Sequence, residues 1–371
     1  MMIWAFCLAT TLSGLLLLPD DGSFLEVSVP KKPDAVVLRL TSDAPAVVTE
    51  TRRVRLGAGS NRLRFDWIRA RLDEGTLDFD VSPSSGEAKI TAVTRFGHLP
   101  KMLFYDVEAT GPLEAEVHAR YLLSGVGWRV AYVGILHEKT ADRPESLELQ
   151  QTVEIQDNSG IDLEGVRIVF DGGVLEDLSV SDGQRREVET FRAAGLPFTR
   201  HYTYDPARFG GAPGVELELE NAAGGPLAKS LLPAGKIRLF SKRADAAPGL
   251  IGEDVLAATP LGEKVRVLSG HERDIQVERR VVFQRNENER RDRWNKVIAY
   301  DQRTRLAFKI HNGLAEKVTL VIVERPGASF ELTECELPRE IQRLDTVELR
   351  VELAPRQETT FEIEWLRRNL F

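Results

Sequence analysis

The chain has 371 residues, 42% of them hydrophobic, so it is long enough for two or three domains with proper cores. Its formal net charge is −8 at pH 7, which argues against nucleic acid as a main partner, because phosphate binding needs a basic surface. Of the two cysteines, Cys7 lies in an apolar N-terminal run. A mature chain without that run would keep only Cys335, so no intramolecular disulfide is expected, and Cys335 is predicted to be a half-buried strand residue.

The N-terminal run, residues 3–18, is almost uninterruptedly apolar and ends at Pro19 and Asp20. It is typical of the hydrophobic region of a secretory signal, although no Lys or Arg precedes it and no A-x-A site follows it. It is shorter than the roughly 20 residues that a transmembrane helix needs. We interpret residues 1–22 as a signal-like segment and expect an extracytoplasmic protein. An uncleaved anchor, which would then be the only membrane contact, and a misplaced start codon are the alternatives.

Alternation of apolar and charged residues dominates the rest of the chain, for example in residues 77–81, 215–219 and 347–353. Such segments bury one face only, which is typical of antiparallel sheets packed as sandwiches. No long helical period occurs, and only residues 338–344 and parts of 187–209 are compatible with short helices. The pattern therefore predicts an all-β fold of tandem antiparallel β-sandwich domains.

Three domains are predicted after the signal-like segment. The first spans residues 33–112 and contains the strand–glycine–strand sequence VTETRRVRLGAGSNRLRF. The second spans residues 113–244 and is interrupted by a polar loop rich in Gly and Pro. The third spans residues 245–371.

Two motifs of the second domain combine a strand with a turn. The sequence GWRVAYV places Trp128, Val130 and Tyr132 on the same face of one strand, where we expect them to fill a core. The sequence NSGIDLEGVRIVFDGG, residues 158–173, predicts a turn and a following strand, with Asp171-Gly172 as a hairpin turn.

The most distinctive stretch, residues 231–267, contains the succession LPAGK, IGED and TPLGEKV. Its alternation predicts strands, and Gly252 and residues 260–262 are predicted turn residues. The succession resembles the C-terminal domain of the mucoidy-inhibitor-A-like bacterial family, a domain of unknown function, and the resemblance covers roughly residues 121–365. Residues 33–112 look like the N-terminal domain of the same family.

The resemblance implies an architecture and no catalytic residues. Val130 stands where the family pattern has proline, and Leu163 stands where it has tryptophan, so the chain belongs with divergent members. The helical coiled-coil insert of longer members is absent from the sequence. Any assembly role of that insert is therefore not implied for this chain.

The polar residues show little that is typical of catalysis. The six histidines have no metal-binding spacing, and neither a nucleophile elbow nor a phosphate loop is present, so no cofactor is predicted. Glu253 and Asp254 are adjacent, and paired carboxylates can serve glycoside hydrolysis. Adjacent strand residues point to opposite faces, however, so we interpret them as a solvated turn in which one carboxylate caps backbone N–H groups. A catalytic or metal-binding role is the alternative.

The candidate binding site is an arginine-rich segment, residues 279–305, that also contains Trp294 and Tyr300. Two strands joined by a polar loop are predicted here. The candidate site residues in and beside that loop are Arg290, Arg291, Arg293 and Trp294. Guanidinium forks beside an aromatic ring suit an acidic polysaccharide or a lipid phosphate. Acidic residues are interleaved with the arginines, so a salt-bridged, solvated hairpin is the alternative.

These observations favour an exported, non-enzymatic β-sandwich protein that serves as a binding or structural module of the bacterial envelope. The expected partner is an acidic envelope polymer or another envelope protein, with no nucleic acid and no cofactor. Two alternatives stay open: an extracytoplasmic carbohydrate-active hydrolase that uses loop carboxylates, and a cytoplasmic assembly protein.

The apolar run makes a prediction about the mature N-terminus. We expect the mature protein to begin between Leu18 and Ser23, because signal peptidase removes the apolar region of a secretory signal. Intact-mass spectrometry of protein from the native source will show this. A full-length mass that includes Met1, found on a freely soluble cytoplasmic protein, would contradict the prediction.

Overall fold

The computed structural model describes residues 24–41, 45–140, 144–229, 231–242, 247–327, 330–335, 337 and 339–371, with the backbone alone for 339–342. The predicted signal-like segment, residues 1–22, lies outside these ranges. Strand accounts for 68% of the structure and helix for 1%, which confirms the all-β class. Within the described ranges, no helix has the length and apolar character needed to cross a membrane.

The elements are introduced in chain order. The first twelve strands are β1 (Leu25–Ser28), β2 (Ala35–Arg39), β3 (Ala46–Leu56), β4 (Gly59–Asp66), β5 (Leu72–Pro83), β6 (Ala88–Thr94), β7 (Met102–Ala109), β8 (Leu113–Leu123), β9 (Val126–His137), β10 (Ser146–Asp157), β11 (Leu163–Phe170) and β12 (Gly173–Val180). They are followed by β13 (Arg185–Leu196), β14 (Thr199–Tyr204), the short helix α1 (Pro206–Phe209), β15 (Gly214–Glu220), β16 (Leu231–Leu232), β17 (Gly235–Lys242) and β18 (Gly249–Leu256). The remaining strands are β19 (Thr259–Pro260), β20 (Lys264–His271), β21 (Ile275–Arg291), β22 (Val297–Asn312), β23 (Val318–Glu324), β24 (Phe330–Glu334), β25 (Arg339–Gln342), β26 (Val347–Leu353) and β27 (Glu358–Leu370).

The chain divides into two compact units, and neither is a continuous segment. The first comprises residues up to Gly127 together with Ile155–Arg185, and the second comprises Trp128–Glu154 and Arg186–Phe371. This division differs from the predicted boundaries. The boundary at 112/113 would separate β8 from β3, with which it pairs along its whole length, and the boundary at 244/245 would separate β17 from its partner β18.

The first unit contains two sheets, with strand orders β1-β4-β7-β6 and β12-β11-β2-β3-β8-β5. Aromatic rings from both sheets meet between them. Phe79 of β5 stacks on Tyr105 of β7, with ring centroids 3.8 Å apart. Phe65 of β4 packs edge-on against Phe79, with ring centroids 5.6 Å apart. Burial of these large rings provides much of the apolar area that stabilises the unit.

The second unit contains sheets of order β13-β10-β9-β17-β18, β20-β15-β14-β23-β26-β25 and β21-β22-β27-β24, and a two-stranded sheet β16-β19. The six-stranded sheet, which contains β23 and β26, shares one hydrophobic core with the sheet that contains β22 and β27. Leu320 and Leu349 contribute from the first of these sheets, and Phe308 and Ile363 from the second. Alternation along each strand explains this arrangement, because every second side chain faces the opposing sheet.

Of the three residues of β9 that were predicted to fill a core, two are buried. Tyr132 and Val130 are buried, and the Tyr132 hydroxyl donates to the carbonyl of Pro233 at 2.8 Å. Burial raises the pKa of Tyr132. Trp128 shares their face but is only half-buried. The core prediction therefore holds for Tyr132 and Val130 and is only partly met for Trp128.

The ladders are mostly antiparallel, but the pairs β1–β4, β2–β11, β9–β17 and β14–β23 are parallel. The prediction of antiparallel sheets was wrong at these pairs. One-sided alternation reports which face of a strand is buried and carries no information about the direction of its neighbour.

Two local predictions also differ from the structure. Gly252 lies inside β18, opposite Leu239, and not in a turn. Residues 339–342 form strand β25 and not a helix. Helix α1, in contrast, lies inside residues 187–209, parts of which were predicted to be compatible with a short helix. The carboxylate of Asp205 caps this helix by accepting from the N–H groups of Ala207 and Arg208.

Three fully buried asparagines, Asn61, Asn221 and Asn312, hold connections between strands. In each case the side-chain amide donates to backbone carbonyls and the side-chain oxygen accepts a backbone N–H. Asn312, for example, donates to the carbonyl of Ala354 at 2.9 Å and accepts from Leu314 at 3.0 Å. Asn312-Gly313, a dipeptide typical of hairpin turns, leads here from β22 to β23, a strand of a different sheet. Saturated hydrogen bonding makes such buried amides rigid anchors.

Gly160 lies where its loop closely approaches the loop that contains Arg69. Its φ is +87°, and a Cβ there would lie 2.1 Å from the carbonyl oxygen of Arg69. We expect Gly160→Ala to lower the free energy of unfolding by about 2 to 4 kcal/mol, from left-handed backbone strain and from the clash. Urea unfolding monitored by circular dichroism measures this.

The matched control is Gly183→Ala in the same unit. Gly183 has a φ of +79°, and a Cβ added there would have no neighbouring atom within 4 Å, so only the backbone strain of about 1 to 2 kcal/mol remains. Equal losses in the two variants would show that the close approach to Arg69 does not restrict Gly160.

Candidate functional site

The predicted binding segment forms a long hairpin, β21 and β22, which we call the hairpin arm. Residues 275 and 312 pair at its base, and Arg291 and Val297 pair near its end. β21 is an edge strand, and consecutive side chains from Arg279 to Val282 are exposed, so both faces are uncovered there. The arm therefore offers an accessible surface and contributes to the core only near its base.

The tip of the arm, residues 290–296, has a defined conformation. The Asp292 carboxylate accepts from the backbone N–H groups of Trp294 and Lys296, both at 2.9 Å. Asn295 adopts a left-handed conformation with φ of 64°, which asparagine tolerates better than most residues. The turn therefore projects Trp294 outward, and this residue is 71% exposed.

The structure brings the four candidate residues together at this tip. The Arg293 guanidinium lies over the Trp294 ring, 3.9 Å from its centroid. Arg291 donates to the carbonyl of Asn295 at 3.1 Å and forms an ion pair with Glu289. Arg290 donates to the side-chain oxygen of Asn369. A stacked Arg–Trp pair on the surface presents positive charge and an aromatic face to the same ligand.

The middle of the arm carries a dense ion-pair network around Glu364 on β27, whose side chain is 4% exposed. Arg303 donates to one carboxylate oxygen at 2.7 Å and Arg305 to the other at 2.9 Å, while the Thr333 hydroxyl donates at 3.0 Å. Burial acts to raise the pKa of Glu364, but the hydrogen bonds from Arg303, Arg305 and Thr333 outweigh it and lower the pKa. The salt-bridged alternative thus describes the middle of the arm.

The adjacent carboxylates Glu253 and Asp254 lie on β18 and are engaged in structural contacts. Glu253 pairs with Lys236 at 2.6 Å and with Arg238 at 2.9 Å, and these hydrogen bonds lower its pKa. Asp254 accepts from the backbone N–H groups of Val255 and Leu268. A general acid needs a raised pKa, so this pair does not have the properties of a glycosidase site.

The first unit contains a cavity of about 780 Å³, which we call the inter-sheet cavity. Its walls are mainly apolar and come from β2, β3, β8 and β11 of one sheet, from β4 of the other, and from the loops at 29–33 and 67–70. Its large aromatic residues are Trp67, Phe65 and Tyr121, which are all buried. Cavities of this size and character are typical of small-molecule sites.

Two charged residues of β3, Glu50 and Arg52, lie in this apolar wall, and we call them the polar pair. Glu50 is 3% exposed, and its Oε1 lies 2.8 Å from Nη2 of Arg52. That contact is an ion pair without hydrogen-bond alignment, so Glu50 Oε1 and Arg52 Nε are buried without a hydrogen bond in the described structure. The Tyr121 hydroxyl lies 3.4 Å from the other Glu50 oxygen, and burial, with the nearby Glu50 charge, raises the pKa of Tyr121.

Sequence reasoning did not identify the polar pair, although a signal was present. Alternation in β3 places Glu50 and Arg52 on the same face as Val48 and Val54, which is the buried face. Charged residues at positions that should be apolar mark a structural ion pair or a functional site. Ala46 lies on this face as well, so the two charged residues interrupt an otherwise apolar series in the sequence of β3.

Among the described residues, no group of three or more His, Cys, Asp or Glu side chains is arranged to hold a metal ion. Cys335 is half-buried, and its thiol lies 3.7 Å from the carbonyl of Leu337. No protein-family model and no curated protein matches this chain at a significant level. The resemblance to the mucoidy-inhibitor-A-like family therefore stays a prediction.

The ion-pair network in the middle of the arm predicts a pH-dependent stability. Because the folded-state pKa of Glu364 lies below its unfolded value of about 4.3, its stabilisation is present above that pH and is lost as pH falls through the folded pKa. Glu364→Gln should cost about 1.5 to 3 kcal/mol at pH 7 and markedly less at pH 3. Urea unfolding at the two pH values measures the difference.

Glu362→Gln is the control on the same strand. Its carboxylate is 47% exposed and 3.7 Å from Arg305, so the change should cost no more than about 1 kcal/mol at pH 7. A loss for Glu364→Gln that is as large at pH 3 as at pH 7 would show that its carboxylate charge does not stabilise the arm.

Proposed function

We propose that this protein is an exported, non-enzymatic binding module of the bacterial envelope, and that the tip of its hairpin arm binds an acidic polysaccharide. The observation that carries this proposal is the exposed Arg293–Trp294 stack. A ring on the surface with a guanidinium above it matches an acidic sugar, which has a C–H face for the ring and a carboxylate for the guanidinium.

The surroundings of the stack support a polymer as the ligand. Val281, Val282 and Ile298 are exposed on the arm, so apolar contact area extends from the tip towards the base. Arg290 and Arg291 flank the stack and contribute positive charge on a chain whose net charge is −8. Attraction to an anion is therefore local to the tip, and an extended ligand can follow the arm without entering a pocket.

Extracytoplasmic location is part of the proposal and is supported by the apolar run at residues 3–18. A non-enzymatic role is supported by the engagement of Glu253 and Asp254 in ion pairs and backbone hydrogen bonds, which leaves this pair unsuited to acid–base chemistry.

The proposal is tested by replacing Arg290, Arg291 and Arg293 together with Ser. Folding should be nearly unaffected, because each exposed ion pair contributes about 0 to 1 kcal/mol. Affinity for polygalacturonate, measured by isothermal titration calorimetry at low salt, should fall at least tenfold. Binding by the unmodified protein should weaken steeply between about 20 and 200 mM salt, because exposed charges are screened beyond roughly 8 Å at physiological ionic strength.

The matched control replaces Lys236, Lys264 and Lys317 with Ser, which removes the same charge from parts of the second unit outside the arm. These exposed lysines form ion pairs with Glu253, Glu218 and Glu352. The control should retain polygalacturonate binding, whereas Trp294→Ala should weaken it without any change in charge. If the control and the Arg triple variant have equal affinity for polygalacturonate, the loss of affinity is explained by net charge alone, and the tip is not the binding site.

A further inference from the structure

We propose that the inter-sheet cavity of the first unit binds a neutral amphipathic molecule, whose apolar body fills the cavity and whose hydroxyl end hydrogen-bonds to Glu50 and Arg52. This site is independent of the hairpin arm, which belongs to the second unit, and the inference does not rest on the function proposed for the arm.

The size of the cavity is the first argument. The cavity opens to solvent at a rim that includes the exposed residues Ile68, Lys32 and Glu164, so a ligand has a route into it. A volume of about 780 Å³ between the sheets of a single unit falls in the range of about 300–1,000 Å³ that is typical of small-molecule sites. Apolar walls such as Val48, Leu123 and Val166 offer water few hydrogen-bonding partners, so an apolar ligand fills this space more favourably than water.

The polar pair is the second argument. Glu50 and Arg52 line the cavity, and Glu50 Oε1 and Arg52 Nε–H lack a hydrogen bond. Neighbouring protein atoms cover both atoms, so a change of side-chain rotamer is needed for them to meet a ligand. Leaving such groups unsatisfied is unfavourable. A hydroxyl group is both donor and acceptor at one oxygen atom, so a single ligand group can satisfy both residues.

The charges of the pair select a neutral ligand. Glu50 and Arg52 compensate each other, with 2.8 Å between Oε1 and Nη2. A carboxylate ligand would place a second buried negative charge beside Glu50, and an ammonium ligand a second positive charge beside Arg52. Either charge would be desolvated without a counter-ion of its own, which is strongly unfavourable.

The loops that border the cavity are balanced in the same way. Lys32 and Glu164, both among its lining residues, form an ion pair at 2.9 Å. The negative charges of Asp66 and Asp162 are matched in number by the positive charges of Lys31 and Arg69. The rim therefore has no excess of one sign that would attract an ionic ligand in preference to a neutral one.

Three ten-carbon probes that differ only in their polar end test the inference: 1-decanol, decanoate and decylamine. Calorimetric titration of the full chain should show saturable binding of decanol, and binding of decanoate and decylamine should be at least tenfold weaker. Decanol should also change tryptophan emission in the unmodified protein and much less in Trp67→Phe, since Trp67 lines the cavity.

Glu50→Gln provides a test of selectivity. It leaves the positive charge of Arg52 in the cavity, so the ratio of decanoate to decanol affinity should rise at least tenfold. Because this variant changes a buried charge and its folding is not assured, Val48→Phe provides a second test. Its larger side chain occupies part of the cavity without changing the polar pair, and decanol should bind at least tenfold more weakly.

Val47→Phe is the matched control, because Val47 is the neighbouring residue on the other face of β3 and does not line the cavity. It should bind decanol as the unmodified protein does. The inference is overturned if decanol does not bind up to its solubility limit, if the three probes bind equally, or if Val48→Phe binds decanol as well as Val47→Phe does.

Discussion

The structure depends on one constraint: almost every strand has a single apolar face, and that face must be covered by another sheet. The described part of the chain contains almost no helix, so it offers no other element with which to cover that face. The consequence is visible in both units, where side chains from two sheets interdigitate, as Phe65, Phe79 and Tyr105 do in the first. Connections that pass between sheets then need their own stabilisation, and buried asparagines such as Asn312 provide it.

The constraint is relaxed where a charged side chain is buried. Two of the buried carboxylates, those of Glu364 and Glu50, differ in how their charge is compensated. Glu364 receives hydrogen bonds from Arg303, Arg305 and Thr333, so its carboxylate is saturated. Glu50 faces Arg52 without hydrogen-bond alignment inside a large cavity. A saturated cluster acts as a structural anchor, whereas an unsaturated one beside empty space retains capacity for a ligand.

Alternation in the sequence was sufficient to predict the all-β class, but the prediction that Arg290 and Arg291 lie in a loop was wrong, because β21 continues to Arg291. It could not reveal which strands are neighbours, because pairing such as that of β3 with β8 depends on residues distant in the chain. For the same reason the domain boundaries and the parallel ladders were not predicted. The cavity was missed because a void is defined by side chains of several strands, although Glu50 and Arg52 interrupted the apolar face of β3 within the local sequence.

The parallel pairing of β11 with β2, in which Ile168 lies opposite Leu38, has a consequence for how the chain folds. The first unit cannot be completed as it leaves the ribosome, because its last strands are synthesised after β9 and β10 of the second unit. Long-range pairing of this kind raises contact order and slows folding, and the open strand edges stay exposed to other chains meanwhile. Chaperones that shield such edges would therefore contribute more to the yield of this protein than to that of one with contiguous domains.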